Sequence, residues 1–162
     1  MHQLRILLAV PILAAGAAPA TAEPPVDPLA FFEGRTEGEG TMKVILRQPY
    51  TTRSVGHGRI EPDGSLTLVQ KVTEDGKPPQ ERRWSVRRAG PNRFTATMSE
   101  AVGPVAIDKI GERYRFRFRL KDNLSAEQWL TPLPGGRAAR NSMQVRRLGV
   151  VVARSSGLIR KL

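Results

Sequence analysis

The 162-residue chain contains no cysteine. Disulfides, thiolate metal sites and cysteine nucleophiles are therefore excluded. Histidine is almost as scarce, with only His2 and His57. His57, in "SVGHGRI", has neither a thiolate nor a mature second imidazole to complete a zinc site, so the sequence predicts no metal and no cofactor. Carboxylates number 15 against 26 lysines and arginines, a formal net charge of +11. Such an excess favours encounters with polyanions and says nothing about fold. Rings are few, with two Trp, two Tyr and five Phe.

Long apolar runs are absent after the first residues. The opening "MHQLRILLAVPILAAGAAPATA" has Arg5 near the start, an apolar stretch from Ile6 to Ala18, and small residues ending in Ala20-Thr21-Ala22. The stretch is shorter than the roughly 20 residues that span a bilayer and is interrupted by Pro11. It reads as a secretory signal over 1–22, cut before Glu23. "EPPVDP", 23–28, reads as a Pro-rich leader, and 29–162 as one domain. Export to the periplasm or beyond is the expectation. Without cysteine the chain cannot carry the N-terminal lipid of bacterial lipoproteins, and core and hydrogen bonds must supply its stability.

What the chain does have is regular punctuation. Turn residues fall at Asp63-Gly64, Glu74-Asp75-Gly76 with Pro78-Pro79, Gly90-Pro91-Asn92, Gly111-Glu112, Asp122-Asn123 and Pro134-Gly135-Gly136. The intervals suit antiparallel hairpins and are too short for βαβ units. Between them the residues alternate. Leu66, Leu68 and Val72 oppose Thr67, Lys71 and Thr73; Trp84 and Val86 oppose Arg83, Ser85 and Arg87; Phe94, Ala96 and Met98 oppose Arg93, Thr95 and Thr97. Period two is the mark of half-buried strands.

"RYRFRFRLK" is the clearest case. Wound as a helix it has no apolar face, whereas as a strand it is two-sided. Tyr114, Phe116, Phe118 and Leu120 are then expected in the core, and Arg113, Arg115, Arg117, Arg119 and Lys121 in water. A two-residue turn at Gly111-Glu112 sets Ile107 opposite Phe116 and Asp108 opposite Arg115. A nucleic-acid platform needs rings and cations on one surface, which this alternation forbids, so no nucleic-acid partner is expected. Further strands are expected through Trp129, over Ala138–Arg147 and over Gly149–Leu158, and at most one helical turn at Pro28–Glu33.

Arg82-Arg83-Trp84, the Gly90 to Phe94 turn, Val102-Gly103-Pro104, "YRFRFRL" and "RNSMQVRRLGVVVA" form a set of motifs within a stretch from "FFEGRTEGEG" at Phe31 to the C-terminus. On these residues the chain resembles a bacterial family of small exported envelope proteins, domain-of-unknown-function family 3833. The resemblance implies an all-β fold, a single antiparallel lipocalin-like (calycin-type) barrel of about 8–10 strands with short hairpin turns. It transfers no catalytic residues, and the missing lipidated cysteine departs from many relatives.

Two readings of function follow. In the first, a barrel interior lined by Trp84, Phe94, Phe116, Phe118, Trp129 and Met143 holds a small apolar or amphipathic, anionic molecule, since so few rings leave such an interior incompletely filled. In the second, the stripe Arg113, Arg115, Arg117, Arg119 and Lys121 rests on anionic lipid or lipopolysaccharide. The 20 arginines against 6 lysines suit two-pronged binding of phosphate or carboxylate, though a high-GC genome also favours Arg codons. Like charges along the stripe require acidic neighbours or a polyanion, and Asp108 and Glu127 are the candidates for the former. No catalytic residue is expected. Glu37 and Glu39 are the nearest to a carboxylate pair, and solvated surface acids explain them better. Oligomeric state is left open.

Overall fold

A computed structural model describes residues 27–162. The expected signal and most of the leader lie outside the described residues. Pro28, expected to end the leader, instead begins helix α1 (Pro28–Phe32). The Asp27 carboxylate accepts a hydrogen bond from the Leu29 amide at 3.0 Å, and proline's fixed φ suits the first helical position. Glu33 returns to extended backbone and ends the helix after this single expected turn.

Ten strands follow: β1 (Gly34–Val44), β2 (Tyr50–Ile60), β3 (Leu66–Glu74), β4 (Gln80–Gly90), β5 (Arg93–Met98), β6 (Val105–Ile110), β7 (Arg113–Leu120), β8 (Leu124–Pro132), β9 (Ala138–Arg147) and β10 (Val150–Lys161). Each pairs antiparallel with its neighbour in sequence, and β1 pairs with β10 from Thr36↔Lys161 to Val44↔Ala153. The result is a closed lipocalin-like barrel at the upper end of the expected strand count.

Alternation decides which side chains enter. In β7, Tyr114, Phe116 and Phe118 are buried while Arg113, Arg117 and Arg119 are exposed. Ile107↔Phe116 and Asp108↔Arg115 are in register across the Gly111-Glu112 turn, where Gly111 has φ +59°. Trp84 meets Phe116 and Phe118 edge-on, with ring centres 6.2 and 6.5 Å apart. Such packing adds about 0.5–1.5 kcal/mol per pair beyond the burial itself. Burial also raises the Tyr114 phenol above its ordinary pKa, with Asp27 and Glu112 adding to the effect.

The up-and-down order gives the barrel two distinct ends. α1 and the connections after β2, β4, β6 and β8 lie at one, here the closed end; the connections after β1, β3, β5, β7 and β9 form the mouth. α1 seals its end by burying Leu29 and Phe31 and resting its backbone on Gly58, where a Cβ would stand 1.8 Å from the Phe32 carbonyl oxygen.

Two mouth connections depart from the sequence expectation. Gly149, expected to start the last strand, shares a two-residue turn with Leu148, between the paired Arg147 and Val150. Leu148 has φ 48°, and in the connection after β1 Leu46 has φ 59°. This left-handed region costs a residue with a Cβ about 1–2 kcal/mol, and turns of this kind normally take Asn or Gly there.

Two outcomes are expected in denaturant titrations. Leu148→Asn raises stability by about 1 kcal/mol by relieving the turn. Phe118→Ala lowers it by about 3–5 kcal/mol by opening a hole beneath Trp84.

Candidate functional site

The interior of the barrel is unevenly filled. From β3 round to β8 the inward rows carry bulk: Leu66, Leu68, Trp84, Val86, Phe94, Ile107, Phe116 and Leu130. Along the middle of β10, β1 and β2 they carry little, with Ser155, Gly157, Gly38, Gly40, Thr52 and Ser54 between Ile159 at one end and Met42 at the other. The difference leaves a cavity of about 170 Å³. It runs from Leu29 and Phe32 of α1 toward Met42, Thr52 and Glu74 near the mouth. Inward residues near the mouth are half-buried, while Leu66, Leu68, Val86 and Phe94 deeper in are buried.

Glycine is required on the thin wall. Gly40 faces Gly157 across the β1–β10 seam, and a Cβ on Gly40 would stand 2.5 Å from the Ser156 carbonyl oxygen. A Cβ on Gly157 would meet the Glu39 carbonyl oxygen at the same distance. Both obstacles are backbone, which cannot swing aside as a side chain does.

Polar groups are placed singly within the apolar surround. The Trp84 indole N–H donates to Gln70 Oε1 at 3.0 Å, and Gln128 Nε2 donates to Asn141 Oδ1 at 2.7 Å. These bonds leave the amide NH₂ groups of Gln70 and Asn141 as further donors. Arg82, in the same inward row as Trp84, donates from Nε to both oxygens of Glu100, at 3.0 and 2.8 Å. The terminal guanidinium nitrogens take no part in that contact. Glu74, also in an inward row near the mouth, pairs with Lys77 of the β3–β4 connection. This pairing raises the Lys77 pKa above its ordinary value, mainly through the hydrogen bond to Glu74.

The residues expected inside divide into three groups. Trp84, Phe94, Phe116 and Met143 line the cavity. Phe118 is buried against Trp84 but is not part of the lining. Trp129 is a correction, because it lies on the outer face. The inward row of β8 is Ala126, Gln128 and Leu130, and Trp129 pairs with Arg115 in the outward row. There the Arg113 guanidinium covers its ring at 4.1 Å, and its N–H donates to Glu127 at 3.1 Å. Its position between Gln128 and Leu130, both in the inward row, sets it outward by parity.

Gln70, Arg82, Gln128 and Asn141 were not foreseen. Parity alone would have found Gln70, in the row of Leu66, Leu68 and Val72, and Arg82, two residues before Trp84.

On the outer face, Asp108 holds three guanidinium groups, Arg117 at 2.9 Å, Arg115 at 3.6 Å and Arg93 at 3.8 Å. It therefore serves more of the stripe than the single cation expected. Glu127 instead accepts from Trp129. Arg119 and Lys121 have no ion pair among the described residues. Glu37 and Glu39 are exposed in the outward row of β1, beside Arg35 and Arg53 at 2.7 and 3.7 Å, so that Glu39 borders the cavity with its carboxylate in the outward row. His57 is exposed, paired in register with Arg35 and Val69.

The chain matches no protein-family model and no curated protein. Solved structures do resemble it in fold. An S-type phycobiliprotein lyase, CPES from Guillardia theta, aligns over 83% of this chain and 90% of its own, with a TM-score of 0.65 at 9% identity. Rv2717c from M. tuberculosis aligns over 83% and 94%, with a TM-score of 0.57 at 13% identity.

Replacing Gly40 by Val is expected to lower stability by about 1–3 kcal/mol, the range for overpacking. A shift in the chemical denaturation midpoint measures it.

Proposed function

We propose that this chain is an exported, non-enzymatic binding protein that holds one small amphipathic anion, apolar end inward and acid group at Arg82. Membership of the envelope family that its motifs resemble belongs to the same reading. The observation that carries it is the cavity itself, closed at one end by α1, apolar along β3 to β8, and bordered by a guanidinium that hydrogen-bonds Glu100 through Nε, not through its terminal nitrogens.

The volume limits the ligand. A dry cavity of about 150 Å³ accommodates benzene, so about 170 Å³ admits one ring or a short branched chain, not a whole lipid. The rest of a longer molecule would extend toward the mouth. Arg82 suits a carboxylate or phosphate there, because guanidinium matches either with paired N–H donors. Glu100 would share the guanidinium or yield it.

The alternative on the outer strand face has less behind it. Asp108 offsets three of the cations near that stripe, and Arg113 lies against Trp129.

Native mass spectrometry of protein purified from its own host is expected to show a bound small mass, removed by mild denaturation. Arg82→Gln should weaken binding of the acid recovered in this way by about tenfold or more, the loss expected for one charge-assisted contact. Its neutral amide should bind both forms alike. Ser54→Leu should abolish binding with the denaturation midpoint little changed, because the new side chain fills the cavity. A host-purified protein with no bound mass, together with an Arg82→Gln form indistinguishable from the parent toward small aromatic and branched-chain acids, would overturn the proposal.

A further inference from the structure

The exposed large apolar side chains gather mainly at one end of this barrel. Leu46 is 98% exposed, Leu148 88%, Val150 62%, Ile45 54% and Val102 53%, and these five stand at the mouth, whereas Leu162 and Ile110, at 55% and 43%, lie singly at the closed end. Four of those at the mouth share one corner. The Ile45 amide donates to the Val152 carbonyl at 2.9 Å, which sets the β1–β2 connection beside the β9–β10 turn that carries Leu148 and Val150.

The two most exposed leucines are also the two held at positive φ, 59° for Leu46 and 48° for Leu148. Each therefore bears an unfavourable backbone conformation while its side chain projects into water and packs on little. Asn or Gly would suit both positions better on structural grounds alone. Two such departures at adjacent tips call for an external contact.

The charges around them indicate its nature. Lys43, Arg47, Arg119, Lys121, Arg147 and Arg154 surround the corner, exposed and without an ion pair among the described residues. Lys43 donates only to the Arg47 carbonyl, and Arg146, half-buried, donates to Gln144. Asp122 is the one carboxylate on the connections of this corner. The other half of the mouth is balanced, with Glu74 paired to Lys77 and Glu100 to Arg82.

From this combination we propose that the corner formed by the β1–β2 connection and the β9–β10 turn docks on an anionic phospholipid bilayer. Leu46 and Leu148 enter the boundary between headgroups and acyl chains, and the surrounding cations meet lipid phosphates. Convex tips suit the soft, flat surface of a membrane, whereas a protein partner is normally met by a flat or concave apolar patch. This surface shares only Arg119 and Lys121, the mouth end of the strand stripe, and does not depend on what the cavity holds. It does bring the mouth of the cavity to the lipid.

The cysteine-free chain allows a direct test. Leu46→Cys, Leu148→Cys and, at the closed end, Glu112→Cys each carry one environment-sensitive fluorophore and are mixed with phosphatidylglycerol or phosphatidylcholine vesicles. The labels at 46 and 148 are expected to shift to the blue with phosphatidylglycerol only, and the label at 112 with neither. Raising salt from about 0.1 M to about 1 M should reverse the shift, since screening shortens the reach of charge from about 10 Å to about 3 Å. In flotation assays the unlabelled double variant Leu46→Asn, Leu148→Asn should bind phosphatidylglycerol vesicles about tenfold more weakly while resisting denaturant at least as well as the parent. Its stability excludes misfolding as the cause. Absence of a blue shift at 46 and 148, an equal shift at 112, or a double variant that floats like the parent would overturn the proposal.

Discussion

The whole architecture depends on the approach of β1 to β10. A meander of ten strands becomes a barrel only if its first and last members hydrogen-bond, and here the seam runs through Gly40 opposite Gly157, where neither position has room for a Cβ. Closure removes the unpaired edges that an open sheet would present to other chains. The same run of glycine and serine that lets the backbones meet also leaves one wall without bulk. The cavity is thus a by-product of the joint, and side chains placed at Gly40 or Gly157 to fill it would strain the seam that closes the ring.

Around that seam the electrostatics divide by height. Toward the closed end of β7 the cations are managed internally, with Asp108 drawing in Arg93, Arg115 and Arg117 and Trp129 lying beneath Arg113. Toward the mouth such devices stop, and Arg119 and Lys121 project without carboxylate partners among the described residues. One strand thus carries cations of two kinds, some neutralised by the fold and some left for the surroundings.

Most of the fold was legible because the side-chain period of a strand is two and because the turns are marked by Gly, Pro and Asp. The Ile107↔Phe116 register followed from Gly111-Glu112 and nothing else. The strands least visible beforehand, β1 and β2, are rich in Gly, Ser and Thr, so no apolar alternation betrays them, and these are the strands that shape the cavity. The site was read from its rings, so Trp84, Phe94 and Phe116 were found while Gln70, Arg82, Gln128 and Asn141 were passed over. Polar residues signal solvent until a closed sheet gives them an inside to face. Trp129 failed for the complementary reason, since a guanidinium laid over its ring satisfies apolar surface without burial in the core. Leu46 and Leu148 were missed because no propensity rule places a leucine at positive φ in a turn.

The position of the two tryptophans has a practical corollary. Trp84 looks into the cavity and Trp129 outward beneath two arginines, and the sequence contains no third. Intrinsic emission therefore has two reporters, one facing the interior from β4 and one facing outward from β8, each separable from the other by a single Trp→Phe exchange. Quenching by iodide, drawn to the cationic exterior, would sample one, and quenching by a small uncharged molecule such as acrylamide would sample both, so occupancy inside and events outside could be followed in the same cuvette without any label.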